Sequence, residues 1–340
     1  MSSEKAKTGM DAVPREILHE AYRRKPIYLL KIPFAFAMWG LAVWAIWLTQ
    51  STPYAIPVGV LASLFIATQI RGLGAIGHDA VHGNLARSKV LSYLISLVCW
   101  APTGMSVTIY GNYHLHHHKI TNQYADVDNF VVTDYTKSRG FGRVLLLCVY
   151  TFAYPIYFLF CMTRYYVKRL SFAKLVRMHM EVAAFWGLVF WLQFTQPMQV
   201  MFFAWWLPFI FGSMFASITS MIEHYEMPLT GDDAYSSRTY GTKSHVVNFF
   251  WNNVTFHNEH HKYPGIPFYN LRSFHEQAFP YYDDQVKAEV YPTTVGPALM
   301  LFKRILAFDP EVLEKRYAGL DRRGEKDKLM KLPGIQPGAA

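Results

Sequence analysis

Charged side chains are scarce. Asp, Glu, Lys and Arg make up 17% of the 340 residues, while apolar types reach 52% and aromatics 16%. Soluble domains carry about 25% charge. Length alone corresponds to about two soluble domains, but too little polar surface is present to cover them, and the apolar excess implies contact with lipid. Cysteine is nearly missing. Cys99, Cys148 and Cys161 lie in apolar stretches and form no CxxC, which excludes a disulfide framework and a cysteine-held zinc or iron–sulfur site. Low-complexity tracts and internal repeats are absent, which excludes disordered and collagen-like classes. Neither a GxGxxG nor a fused cytochrome region occurs, so the chain brings no redox module of its own. Residues 1–26 lack the apolar core and cleavage site of a secretory leader and read as a cytoplasmic N-terminal segment.

What is present is organised by apolar runs. Residues 27–308 read as one membrane domain, with spans at 29–49, 54–75, 181–196 and 199–222. Thr49 to Pro53 and Gln196–Pro197 break them into two hairpins. Residues 90–109 and 144–163 are apolar but interrupted by Pro102, Gly104 and Pro155, and read as interfacial or re-entrant segments. Residues 309–340 form a basic polar tail, with a helix expected near 309–319. The net charge of +9 gathers beside apolar runs, at Arg23, Arg24 and Lys25, at Lys137, Arg139 and Arg143, at Arg164, Lys168 and Arg169, and in the tail. That distribution fits the positive-inside pattern and no nucleic-acid module accompanies it. The expected architecture is an all-α integral membrane protein. It has four spanning helices, interfacial helices and a helical cap on the cytoplasmic side with both termini.

Histidine carries the chemistry. Nine of the fourteen histidines stand where apolar segments meet the polar cap: His78 and His82 in HDAVH, His114, His117 and His118 in HLHHH, the isolated His224, and His257, His260 and His261 in HNEHH. Spacings of three and four place side chains on one helical face, so each cluster is expected to direct its imidazoles toward one point. Nine imidazoles exceed what one metal accepts and fit two metals with four or five donors each. Zinc hydrolysis would call for HExxH, which is absent, and zinc has no redox function. A transporter would need donors along a path inside the bilayer. Iron chemistry with dioxygen accounts best for so many neutral nitrogen donors.

The HDxxH, HxxHH and HxxHH boxes resemble those of the integral-membrane fatty acid desaturase superfamily, which also contains hydroxylases and carotenoid ketolases. The resemblance runs from about Arg71 to His275, through NYHLHHHKITNQYADVD and FHNEHHKYPGIPFYNLRSFH. It implies two irons held by the nine histidines, dioxygen as co-substrate, and a fatty acyl or isoprenoid lipid as substrate. It also implies an external electron donor of the ferredoxin or cytochrome b5 type with its reductase. His116 falls off the HxxHH pattern and is left out. The first box is tighter than in the animal acyl-CoA enzymes, which separates this chain from their substrate and regiochemistry. Desaturation is the first reading, with hydroxylation or ketolation as the alternative. A metal-binding or transport protein is the alternative of another class.

Ligating imidazoles donate their second ring N–H to a nearby acceptor. Asp79, Asp126, Asp128, Glu223 and Glu259 stand close to ligands in sequence and are candidates for that role or for solvated caps. Asn253 precedes His257 by four residues and is a candidate to share its helical face, near metal or a water. The NVT at 253–255 falls on the expected cytoplasmic side, so it is not read as a glycosylation site. Arg71, Arg238, Lys243 and His245 are candidates for an anionic headgroup, a thioester carrier or the electron donor, against ordinary interface charge. Trp205 and Trp206 read as lipid-tunnel lining or as interface anchors.

Overall fold

A computed structural model describes residues 9–122, 126, 139–156, 167, 169–225, 227 and 233–307. Four helices are long and apolar enough to cross a membrane: Pro26–Thr49, Ala55–Val81, Phe172–Thr195 and Met198–His224. We number the helices α1 (Arg15–Ala21), α2 (Lys31–Thr49, after a 3-10 turn at Pro26–Leu30) and α3 (Ala55–Val81). Next come α4 (Lys89–Trp100), α5 (Val107–His117), α6 (Gly140–Ile156), α7 (Phe172–Thr195) and α8 (Met198–His224).

Helices α2 and α3 form one hairpin and α7 and α8 the other. Small residues let the two hairpins close. Ile46, Ile66 and Ile70 pack against Val200, Phe203 and Ala204, and Gly59 lies directly under the Phe203 ring, where a Cβ would meet ring carbons at 2.6 Å. Ser63 satisfies its buried hydroxyl on the Gly59 and Phe203 carbonyls, both at 2.7 Å. Trp44, Leu48, Ile56 and Leu61 stay exposed on the outer faces, as lipid contact requires.

The second span runs to Val81 rather than stopping near residue 75, and the third starts at Phe172 rather than at 181. Both expectations stopped at charge or glycine. The charged residues Lys174, Arg177 and Glu181 are carried inside the third helix because they reach polar partners on neighbouring helices. At 27 residues, α3 and α8 are each about 40 Å long, against a hydrocarbon core of ~30 Å. That excess leaves room for their C-terminal turns, which carry His78, Asp79, Glu223 and His224, to extend past the apolar layer.

The 90–109 stretch is a bent pair. Helix α4 and a short 3-10 turn are followed by α5 at 100°, with the reversal at Gly104, whose φ is +69°. Ser106 caps α5 by accepting from the Ile109 N–H at 3.2 Å. Val90, Leu91, Leu94 and Val98 form an exposed stripe on α4 at helical spacing, the face expected against lipid. Helix α6 covers part of the expected 144–163 segment, whose remainder at 157–163 lies outside the described residues. So do residues 1–8, Cys161, the helix expected near 309–319 and the tail from 308.

The cap is built from short elements: α9 (His245–Phe250), α10 (His257–Lys262), α11 (Phe268–Ala278), α12 (Asp284–Ala288) and α13 (Val295–Leu306). Met10, Val13 and Ala21 at the N-terminal end join Phe256, Ile266 and Phe274 in one apolar cluster, which folds α1 onto α11. Strand β1 (Thr239–Tyr240) pairs in parallel with β2 (Val290–Tyr291). The cap is fastened to the membrane helices at Gly72, where a Cβ would collide with the Phe250 carbonyl oxygen.

Candidate metal centre

Helix ends bring the histidines together. His78 sits in the last turn of α3 and His82 caps it. His114 and His117 end α5, and His118 is its C-cap. His224 ends α8, and His257, His260 and His261 occupy the short α10. Three of these elements present C-termini, the negative ends of their dipoles, which favours a cation between them.

All nine imidazoles converge, in two adjacent sets. Ring nitrogens of His78, His82, His114, His118 and His260 lie within 4.8 Å of one another. Those of His117, His224 and His261 form a second group, and Glu223, His224 and His257 an overlapping third. The sets touch where the His118 and His261 rings stack with centroids 4.4 Å apart. The first box, His78 and His82, stays in one set, but the second and third boxes are each divided between two centres rather than aimed at one point. His114 and His118 share a face of α5 while His117 turns to the other set. In the same way His257 and His261 separate from His260. The interleaving follows from 3.6 residues per turn: positions four apart align, and the one between them points aside.

Distances test whether a metal fits. His114 Nε2 lies 2.8 Å from His82 Nε2 and 3.0 Å from His118 Nε2, which in turn is 3.1 Å from His260 Nε2. In the second set His257 Nε2 lies 2.9 Å from His224 Nε2 and 3.0 Å from His261 Nε2, itself 3.4 Å from His117 Nε2. A ring nitrogen carries one hydrogen or one lone pair, so it cannot make two such hydrogen bonds at once. Imidazole nitrogens sit about 2.1 Å from a first-row metal such as zinc, and two donors at right angles are then about 3.0 Å apart. The contacts match edges of a coordination shell. His78 Nε2 is buried and has no hydrogen-bond partner among the described residues, as expected of a donor kept for an ion. Burial, then neighbouring histidines, push His118, His257, His260 and His261 well below the ordinary imidazole range. That keeps them neutral, the form that ligates.

Carboxylates orient two of the rings. Asp79 Oδ1 lies 3.2 Å from His78 Nδ1, and its other oxygen accepts the Phe268 N–H, which ties α3 to α11. Asp126 holds His117 Nδ1 at 2.9 Å and also accepts the Asn122 N–H at 2.8 Å. We expect Asp126→Asn to lower metal affinity by about 10–100-fold. Metal retained by the purified protein against graded chelator measures it.

The other candidates fall differently. Glu223 comes within 3.6 Å of His257 Nε2 and accepts from Tyr240 OH at 3.0 Å, so it stands at the edge of the second set. Glu259 faces away from the imidazoles and pairs with His275, Thr239 and Tyr282. Burial opposes its charge, but His275 and the hydrogen bonds outweigh that and hold the carboxyl below its usual range. Asn253 lies outside α10, in the left-handed region at φ +55°, and donates to the Phe268 carbonyl at 3.0 Å. Asp128 lies outside the described residues. Arg71 turns inward to Thr219 and Glu223. Arg238 is fully buried, ion-paired to Glu289 at 2.6 Å and donating to the Tyr225 carbonyl at 2.7 Å. Neither is placed to meet a headgroup. His245 sits against Arg272 at the surface.

Two participants escaped the sequence reading. Glu181, on α7, accepts from Tyr93 OH at 2.7 Å, Ser106 Oγ at 2.5 Å, the Thr108 N–H at 3.0 Å and Thr108 Oγ1 at 2.7 Å. It thereby anchors the N-terminus of the helix that ends in His114, His117 and His118. His275 fixes Glu259 and with it α10. A Glu inside an apolar run was the available signal for the first, and a histidine just past the third box for the second.

No curated protein sequence matches the chain. The family model described as fatty acid desaturase matches residues 51–292, which takes in the second spanning helix, the whole second hairpin, all nine histidines and most of the cap. The chain belongs to the fatty acid desaturase family.

Proposed function

We propose that this protein is an oxygen-dependent lipid desaturase that introduces a double bond into a fatty acyl chain. Two irons would be held by His78, His82, His114, His118 and His260, and by His117, His224, His257 and His261. The observation that carries the reading is this pair of buried imidazole sets at the C-terminal ends of two spanning helices. A pair of irons supplies, when bound, the activation of dioxygen needed to remove hydrogen from an unactivated C–H bond.

The chain's own residues position and protect. Asp79 and Asp126 fix the rings of His78 and His117. Tyr110 stacks on His114 at 5.3 Å, and Trp100 covers Tyr110 at 3.9 Å, so an aromatic wall keeps water from the first set. An apolar cavity of about 510 Å³ runs between α2, α7 and α8, lined by Trp39, Val43, Leu188 and Trp205 and reaching Pro102 at the tip of the bent pair. It is suited to hold hydrocarbon within the membrane layer. Electrons would come from a ferredoxin or cytochrome b5 type donor with its reductase. The donors lie at helix ends and not along a path through the bilayer, which favours an enzyme over a transporter. The basic clusters beside the apolar runs favour a cytoplasmic position for the site and both termini.

The test is expression of the full chain in a host lacking the activity, with lipid mass spectrometry. Acyl chains lighter by two hydrogens, dependent on oxygen and iron, are expected. Oxygenated lipid alone would assign hydroxylation or ketolation and overturn desaturation.

A further inference from the structure

On the same side as the histidines, a second cavity of about 400 Å³ opens beside the centre. Its lining includes five cationic side chains, Arg24, Arg87, Lys89, Lys174 and Arg177, and no Asp or Glu among the described residues. They come from the segment before α2, the loop after α3, the first residue of α4 and the start of α7. Three are held in place. Arg24 donates to the Asn84 and Gly83 carbonyls at 3.0 and 3.1 Å, Lys174 to Asn112 Oδ1 at 3.1 Å, and Arg177 to Thr108 Oγ1 at 2.9 Å. Arg87 and Lys89 are exposed and have no partner among the described residues. The floor belongs to the metal centre's own helices. Ala80 and Val81 lie between His78 and His82, and Gly111 and Asn112 come just before His114.

We propose that this pocket binds the phosphate ester at the polar end of the acyl substrate. The inference rests on the acyl-lipid reading above and names the class of molecule that reading leaves open. Arg177 has an acidic partner in Glu181 at 4.0 Å, and the other four cations have none among the described residues; together around one concavity they are stabilised by an anion able to accept several charge-assisted hydrogen bonds. A pure hydrocarbon such as a carotenoid would offer them nothing and would cost their desolvation. A protein partner would need a broad face, whereas these cations ring a small cavity with a floor of small side chains. Phosphate in this position could belong to a phospholipid headgroup or to the phosphopantetheine arm of a soluble acyl carrier.

The test uses the full chain, iron-loaded, in neutral detergent. Binding of lysophosphatidylglycerol, acyl-coenzyme A and monoacylglycerol with the same acyl chain is compared for the native protein and for the double variant Arg87→Ala, Lys89→Ala, which removes no hydrogen bond or ion pair among the described residues. A phosphate-bearing ligand is expected to bind at least about tenfold more tightly than monoacylglycerol, with that advantage lost in the variant. Preference for the lysophospholipid identifies a headgroup, and preference for the thioester a carrier. Equal binding of phosphate-bearing and neutral ligands overturns the proposal. So does a variant whose only change is a higher KM for the electron donor. Charge-dependent binding without any desaturated product supports the pocket and counts against the catalytic reading instead, which keeps the two failures separate.

Discussion

Glu181→Leu should strip metal from the protein and lower product formation by at least about 100-fold, although Glu181 is not among the residues that could reach a metal. Its carboxyl group receives the Thr108 N–H and the hydroxyls of Tyr93, Ser106 and Thr108. An apolar replacement leaves those buried groups unpaired, at about 1–3 kcal/mol each. The loss falls at the first turn of α5, whose last turn carries three imidazoles, and small displacements there break a shell whose donors sit about 3 Å apart. Glu181→Gln discriminates this role from general packing. Hydroxyls can turn to accept from the new amide, so Gln is expected to recover most of the metal content while Leu does not. Metal stoichiometry per protein, measured beside helical content by circular dichroism, checks both. Full metal in the Leu variant would refute the anchoring role.

His261→Ala is expected to abolish product and leave the first set loaded, so that iron falls from two per chain to about one. His261 Nε2 contacts both His117 and His257, which makes it central to the second set. Removing it opens the shell at two edges, whereas the five donors of the first set keep their mutual contacts. Elemental analysis of the purified variant gives the stoichiometry. His116→Ala is the control. His116 belongs to no donor group among the described residues, and metal content should be unchanged. Two irons retained in His261→Ala would sink the division into five and four.

The histidines were legible because one residue type repeats at helical spacing where apolar runs end, and both facts are local. The four spans were legible from composition, though their ends were not. Lys174, Arg177 and Glu181 look like a boundary until their partners are known, and those partners stand 62 to 88 positions away. The same limit explains Glu259. It adjoins His257 and His260 in sequence, but its helix turns it to the opposite side, toward His275. Asn253 failed through backbone conformation: at φ +55° it precedes the helix rather than joining it. The division of the second and third boxes between two centres needed the relative orientation of four helices, which no single segment encodes.

The converging donors come from the second spanning helix, the bent pair, the fourth spanning helix and the cap. No CxxC or disulfide framework ties these parts together. A metal bound there closes loops that together take in most of the chain, so its binding energy is also folding energy. The protein would then leave synthesis as two membrane hairpins with a loosely held cap and reach its final form on loading. Metal supply would then bear on the lifetime of the chain, because a ligand that binds only the folded form shifts the balance away from open forms that proteases cut.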